Sequence, residues 1–159
     1  MKTLILGIGN PFMCDDGIGL HIANALEGMI PDVSVTTTTM IDLQLLEILA
    51  DYDMLFVIDA LISNDDKIGT IKKISRDSPS LHLYSSHGLH FFELLKLGQE
   101  LKYKIPEIGG IYGIVIRDNC SFGTKVSPEI LVKQKDIIVK VAEDIKKNGI
   151  EHHVSRDSM

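Results

Sequence analysis

The chain has 159 residues, of which 45% are hydrophobic and 24% charged, and its formal net charge is −6. This length suits one domain, and the composition excludes a disordered or collagen-like chain. The acidic balance disfavours a nonspecific nucleic-acid binder, and two cysteines are too few for a disulfide scaffold or a four-cysteine zinc site.

The first predicted unit is a strand, a glycine turn and a helix. A short apolar run that begins at Thr3 stops at Gly7 and Gly9, which is typical of a strand buried on both faces of a parallel sheet. From Ile18 the apolar residues recur at helical spacing until Pro31 ends the pattern.

Strands and helices then alternate to the end of the chain. The run that ends at Asp59 is the most apolar of the sequence, which predicts the central strand. Asp42 opens the second helix, and Ser127 followed by Pro128 predicts the N-cap and first turn of the last helix, which extends to Gly149. Further strands are predicted at 33–37, 69–74 (an edge strand) and 110–116, and a third helix is predicted from residue 91. Residues 81–84 are either another short strand or an extended approach to the loop at 85–87.

This alternation predicts an α/β fold, a three-layer sandwich in which a twisted, largely parallel sheet of about five strands is flanked by helices. We assign residues 1–150 to this single domain and the polar, aperiodic residues 151–159 to a flexible tail. No apolar run approaches the ~18 residues that a membrane span requires, and no signal peptide is recognisable. These features predict a cytoplasmic protein without a membrane partner.

Potential metal ligands follow three of the predicted strands. Asp15 and Asp16 come after the first strand, Asp59 ends the central strand, and His87 lies in a serine-rich loop with His90 three residues later. Ligands in parallel α/β sheets bind outside the carboxyl ends of the strands, where these loops meet. Two carboxylates and an imidazole suit a divalent transition metal.

Each of these residues also has a simpler explanation. Asp15 or Asp16 can cap the helix that starts at Gly17, Asp59 can begin a turn, and His87 can be a solvated loop residue. His21 falls on the polar face of the first helix, which favours a surface position. Cys14 and Cys120 fit small packing residues. The glycine turn does not match a dinucleotide-binding fingerprint, because Phe12 stands where that motif requires glycine.

Three segments, taken in order, resemble the hydrogenase maturation protease family, the nickel-dependent endopeptidases that trim the large subunit of nickel–iron hydrogenases. The first is GIGNPFMCDDGIG from Gly7 to Gly19, the second is VIDA at 57–60, and the third is Ser86-His87 with Glu93-Leu-Leu95 following. The likeness extends from Met1 to about Gly149.

The resemblance implies a sheet sandwiched by helices and a metal contacted by Asp16, Asp59 and His87, which are also the implied catalytic residues. The family position matching Asp16 is often Glu, and Asp15 is the alternative ligand from the first loop.

The implied partner is a hydrogenase large-subunit precursor, whose nickel is recognised before its C-terminal extension is removed. Two routes stay open: the metal activates the water, or Asp16 or Asp59 is the base. The family often has a Glu-Pro pair where this chain has Arg117, so substrate contacts there do not carry over.

Two other functions are consistent with parts of the sequence. Peptidyl-tRNA hydrolases share the Gly-x-Gly-Asn-Pro turn, but here Asp15-Asp16-Gly17 follows it, and an RNA substrate favours a basic surface. A nickel-site assembly factor that holds the precursor without cleaving it is the alternative from a non-enzymatic class.

Overall fold

A computed structural model gives the structure of the chain for residues 1–74, 91–117 and 122–157, with side chains up to residue 149. These residues form a five-stranded sheet and four α-helices. The strands are β1 (Thr3–Ile8), β2 (Val33–Thr38), β3 (Met54–Ile62), β4 (Ile71–Lys73) and β5 (Glu107–Ile116). The helices are α1 (Ile18–Leu26), α2 (Leu43–Leu49), α3 (Phe91–Glu100) and α4 (Pro128–Asp157), and a 3₁₀ turn (Cys14–Gly17) precedes α1.

The strand order is β2-β1-β3-β5-β4, and only β4, at one edge, is antiparallel to its neighbour. The predictions of a largely parallel sheet, of a central β3 and of an edge strand near residue 71 are therefore confirmed. β2 pairs with one side of β1. The chain then passes through α2 to β3, which pairs with the other side of β1. The strand order thus reverses between β1 and β3, and open α/β sheets bind ligands at such a crevice.

Two hydrophobic cores, one on each face of the sheet, confirm the three-layer sandwich. One core packs α1 and α4 against the sheet through side chains such as Ile22 and Ile137, and the other packs α2 and α3 through Leu46 and Leu94. Every residue of β1 is buried, as the continuous apolar run predicted. Both faces of the sheet are therefore covered, which is the normal state of a parallel sheet.

Several predicted boundaries change. The last helix does not end at Gly149 but continues to Asp157, so the division at residue 150 falls inside α4 and the tail is largely helical. The central strand continues three residues beyond Asp59. The first helix ends at Leu26, just before Gly28 adopts a φ of 75°. Residues 81–84, for which the sequence left two alternatives, lie outside the described residues. No helix in the described part of the chain is both long enough and apolar enough to cross a bilayer.

The predicted N-cap of α2 is confirmed, because the Asp42 carboxylate accepts hydrogen bonds from the backbone N–H groups of Gln44 and Leu45 at 3.1 and 3.3 Å. Both N–H groups belong to the first turn, which has no carbonyl group four residues earlier inside the helix, and the Leu45 N–H also donates to the Asp42 carbonyl oxygen at 3.1 Å. The cap fixes the point where the chain turns from β2 into α2.

Asp53 connects three chain segments at the amino end of the sheet. Its carboxylate accepts a hydrogen bond from the backbone N–H of Lys2 at 2.7 Å and from the Lys104 ammonium at 2.6 Å. These hydrogen bonds, first the one from Lys104 and then the one from Lys2, lower the pKa of Asp53 from 3.8 to about 2. The residue thereby aligns the starts of β1, β3 and β5 at the end of the sheet opposite to the strand ends that carry the acidic residues.

Replacing Asp53 tests this alignment through the pH dependence of the free energy of unfolding. A lowered pKa in the folded state stabilises the protein above pH ~4, and this stabilisation is lost as the pH falls through about 2. We expect Asp53→Asn to lower the free energy of unfolding at pH 7 and to flatten its dependence on pH between 4 and 2, as measured by urea denaturation. The exposed Asp51→Asn is the control. Equal pH profiles for the two variants would contradict the assignment.

Candidate functional site

Two buried carboxylates belong to the crevice where the strand order reverses. Asp16 lies in the 3₁₀ turn that follows β1, and Asp59 lies in the second half of β3, the neighbour of β1. Only 5% of Asp16 and 4% of Asp59 is exposed. Buried carboxylates are rare unless they are hydrogen-bonded or bind a cation, so their position at this edge is a functional signal.

A close backbone contact holds the start of α1 against the ends of both strands. A Cβ added at Gly19 would lie 2.6 Å from the carbonyl oxygen of Ile58 and 3.1 Å from the Cα of Asp59, and it would also collide with the carbonyl oxygen of Ile8. Only glycine fits such an approach. The first turn of α1 is thus fixed to β1 and β3 at once, next to Asp59.

The Asp16 turn is packed with similar closeness. A Cβ added at Gly9 would lie 2.5 Å from the Asp16 carbonyl oxygen. The Asp16 carboxylate accepts a hydrogen bond from the backbone N–H of Asn10 at 3.2 Å, and the Asn10 side chain accepts one from the backbone N–H of Phe12 at 3.0 Å. The sequence Gly-Asn-Pro therefore forms a turn that folds back on Asp16 and orients its carboxylate.

Asp59 is oriented by its own strand. Its carboxylate accepts a hydrogen bond from the backbone N–H of Ala60 at 2.7 Å. Side chains alternate along a strand, and Leu55 and Val57 contribute to the core beneath α2 and α3, so Asp59 lies on that same face. The hypothesis that Asp59 merely begins a turn is wrong, because residue 59 pairs with Gly113 inside the sheet.

Asp15 has a structural partner far away in the sequence. Its carboxylate accepts a hydrogen bond from the backbone N–H of Ser127 at 2.7 Å, which ties the first loop to the start of α4. Neither Asp15 nor Asp16 caps α1, so that expectation is wrong, and Gly17 occupies the N-cap position without a side-chain hydrogen bond. The predicted capping by the Ser127 hydroxyl is also wrong, because its oxygen is buried with no partner among the described residues.

The histidine of the predicted triad falls on residues that the structure does not describe. His87, His90 and His82 all lie between residues 75 and 90, and the segment leads directly into α3. Among the described residues alone, no three His, Cys, Asp or Glu side chains form a group able to hold a metal ion. The structure thus buries Asp16 and Asp59 at one edge of the sheet, and the contribution of His87 stays a prediction.

Two residues near the first loop have more specific positions than the sequence indicated. His21 is half-buried, and its Nε2 atom lies 3.6 Å from where a Cβ at Gly17 would be, so it lies against the Asp16 turn. Cys14 adopts a φ of 47° and donates its backbone N–H to the Gly123 carbonyl at 2.9 Å. The glycines at positions 17 and 123, which lie against His21 and Cys14, are the signals in the sequence that could have indicated these contacts.

Comparisons with known proteins identify relatives of this architecture. A family model described as hydrogenase maturation protease (HycI) matches residues 20–145. The hydrogenase 2 maturation protease of Escherichia coli K12 is 27% identical over 161 residues, which cover 95% of this chain and 94% of that protein. The match to the family model contains Asp59 and begins just after Asp16, and the alignment with the E. coli relative extends over nearly the whole chain.

Solved structures show the same fold. The hydrogenase maturating endopeptidase HybD from E. coli has a TM-score of 0.76 at 22% identity and covers 94% of each chain. The [NiFe] hydrogenase maturation protease HybD from Thermococcus kodakarensis has a TM-score of 0.73 at 26% identity, over 91% of this chain and 99% of that one. Both likenesses extend over at least 91% of this chain.

A matched pair of glycine substitutions tests the close contact at the crevice. Gly19→Ala is expected to lower the free energy of unfolding by about 1–3 kcal/mol, because the new methyl group has only backbone atoms around it. Gly149→Ala in α4 meets no heavy atom of the described chain within 4 Å and is expected to be neutral or slightly stabilising. Urea denaturation measures both. Equal stabilities would show that α1 is not held against the strand ends as described.

Proposed function

Because the chain belongs to the hydrogenase maturation protease family, we propose that it removes the C-terminal extension from a hydrogenase large-subunit precursor that already contains nickel. The family is one of proteases, so the reaction is peptide-bond hydrolysis. The observation that supports the site is the burial of Asp16 and Asp59 at the edge where β1 and β3 end. We assign nickel contact and catalysis to these two residues together with His87.

The chemistry of the donor set fits a divalent transition metal. Carboxylates and imidazole are both accepted by such ions, and positions remain for ligands from another molecule. A carboxylate has about four acceptor sites, so the hydrogen bonds from Asn10 and Ala60 orient Asp16 and Asp59 and are compatible with metal contact. Aspartate is one methylene shorter than glutamate, and the tight Gly9 turn sets how far the Asp16 carboxylate reaches.

Nickel enters this proposal as part of the substrate. Three protein ligands of mostly hard type bind free nickel modestly, and the cysteine sulfurs of the precursor supply the remaining affinity. The family assignment supports this division, and so does the chain itself, since it has only two cysteines. The metal then marks a precursor that is ready for cleavage.

Hydrolysis also requires a group that takes a proton from the attacking water. A carboxylate at the site serves this purpose when it is within hydrogen-bond reach of the water. We assign this role to Asp16 or Asp59, the two acids that the resemblance to the family implies, while the Asp15 carboxylate ties the first loop to the start of α4 through the Ser127 N–H. We therefore assign Asp15 to positioning the loop and the other two to the reaction.

Conservative substitutions separate these roles. We expect Asp16→Asn and Asp59→Asn each to slow the processing of the nickel-loaded precursor by at least about 100-fold, because the amide neither takes the proton nor supplies the charge. His87→Ala is expected to have a similar effect. The measurement is the mobility shift of the precursor on a denaturing gel over time.

Asp15→Asn is the matched control, since its side-chain oxygen still accepts the Ser127 N–H, and it should retain processing within a few-fold of the unmodified protein. Circular dichroism confirms that each variant is folded. Normal processing by the Asp16, Asp59 and His87 variants would overturn the site assignment. Binding of the precursor by the unmodified protein without any cleavage would instead indicate an assembly factor.

A further inference from the structure

A basic groove with apolar walls lies at the carboxyl edge of the sheet. It encloses about 480 Å³ between the loop that follows β3, the end of β5 and the start of α4. The chain as a whole is acidic, with a net charge of −6, yet this groove has three cationic residues and one acidic residue. The lining residues are Lys67, Ile68, Arg117, Glu129, Val132 and Lys133.

Lys133 forms a fixed wall of this groove. Its ammonium donates a hydrogen bond to the carbonyl oxygen of Ile68 at 2.6 Å. A Cβ at Gly69 would lie 2.7 Å from the Cδ of Lys133, so the aliphatic stem of the lysine lies directly on that glycine, whose φ is 83°. The loop and the helix are therefore held together, and the groove is part of the fold.

The acidic loop beside the groove offsets part of its positive charge, since the Arg117 guanidinium helps to lower the pKa of Asp66, although less than the Lys72 and Ser63 hydrogen bonds do. The Asp66 carboxylate accepts hydrogen bonds from Lys72 and from the Ser63 hydroxyl, both at 2.8 Å, and these bonds lower its pKa. Arg117 donates to the Ser63 carbonyl oxygen. A guanidinium carries five N–H donors, so this contact is compatible with binding a carboxylate.

The groove also offers apolar contact. Val132 is 85% exposed, although it is a β-branched apolar residue on the first turns of a helix, and Ile68 is only partly buried. An apolar surface rimmed by charge is typical of a protein interaction site. The favoured occupant thus has carboxylates and at least one apolar side chain.

The groove lies on the edge of the sheet that carries the carboxylates. Arg117 directly follows β5, and the last residues of β3 and β5, Ile62 and Ile116, pair with each other. Asp59 pairs with Gly113 only three residues before Ile116. The groove and Asp59 lie at the same edge but on different faces of the sheet, since Asp59 faces α2 and α3 and α4 packs on the other face. A substrate that contacts both therefore has to pass around this edge.

We propose that this groove binds an acidic segment of the hydrogenase precursor that inserts an apolar side chain against Val132. The inference rests on the proposed function and adds a second point of attachment for the substrate. Charge complementarity accelerates association and selects the partner, while the apolar contact contributes to its residence time. The one acidic lining residue, Glu129, lies at the start of α4, where a negative charge also favours the helix dipole.

Two exposed lining residues, Lys67 and Val132, allow a test that leaves the contact between Lys133 and Gly69 unchanged. Lys67→Glu reverses one charge of the groove, and we expect the Kd for the nickel-loaded precursor to rise roughly tenfold, with a weaker dependence on salt. Lys135→Glu makes the same charge change at an exposed position of α4 outside the groove. Val132→Ser is compared with Val139→Ser, since Val139 is 47% exposed on the same helix and does not line the groove.

Biolayer interferometry with immobilised precursor measures the Kd of all four variants, and light scattering gives their oligomeric state. Weaker binding by Lys67→Glu and Val132→Ser alone supports the proposal. Equal binding by groove and control variants overturns it and leaves the proposed protease function intact. A change in oligomeric state in place of precursor binding also overturns it, since the groove then contacts a second copy. If the unmodified protein neither binds nor cleaves the precursor, both proposals fail.

Discussion

The close approach between the first turn of α1 and the ends of β1 and β3 is the constraint on which the rest of the structure depends. At Gly19 the helix backbone lies against strand carbonyl groups with no room for a side chain. This contact closes the crevice where the strand order reverses, so the loop carrying Asp16 and the strand carrying Asp59 belong to one edge. A longer residue at this position would separate α1 from the sheet and move the Asp16 turn.

Asp15 connects the first loop, which precedes α1, to a segment 112 residues further along the chain. Its hydrogen bond to the Ser127 N–H joins the first loop to the start of α4, which also forms one wall of the basic groove. The two neighbouring aspartates therefore have different partners, since the Asp16 carboxylate accepts its hydrogen bond from the Asn10 N–H within the first loop. Asp16, Asp59 and the groove thus lie towards the same edge of the sheet.

Much of the fold follows from local sequence signals. The apolar run of β3 and the glycine stop after β1 predicted buried parallel strands, and Asp42 predicted the start of α2, because these signals act within a few residues. The sequence did not predict the helical continuation beyond Gly149, since the residues that follow have no periodic apolar stripe. Once a long helix is nucleated, each added residue costs little, and the helix propagates without such a stripe.

The candidate site was only partly predictable, because some of its contacts join residues that are far apart in the sequence. The residue types of Asp16 and Asp59 were recognisable from the sequence, and so was the place of Asp16 after β1, whereas Asp59 lies inside β3 and not at its end. The partner of Asp15 lies 112 residues away, and no local pattern encodes such a contact. The same holds for the groove, whose lining comes from three separate segments. These features depend on the strand order, and the strand order depends on packing over the whole chain.

The most direct test compares the cleavage of nickel-loaded and nickel-free precursor at equal concentrations. It asks whether the two carboxylates recognise a metal that arrives with the substrate. If the metal is recognised in this way, the unmodified protein shortens the nickel-loaded precursor and leaves the nickel-free precursor uncut. Equal cleavage of the two precursors would contradict it, because the carboxylates would then hydrolyse the peptide without recognising the metal.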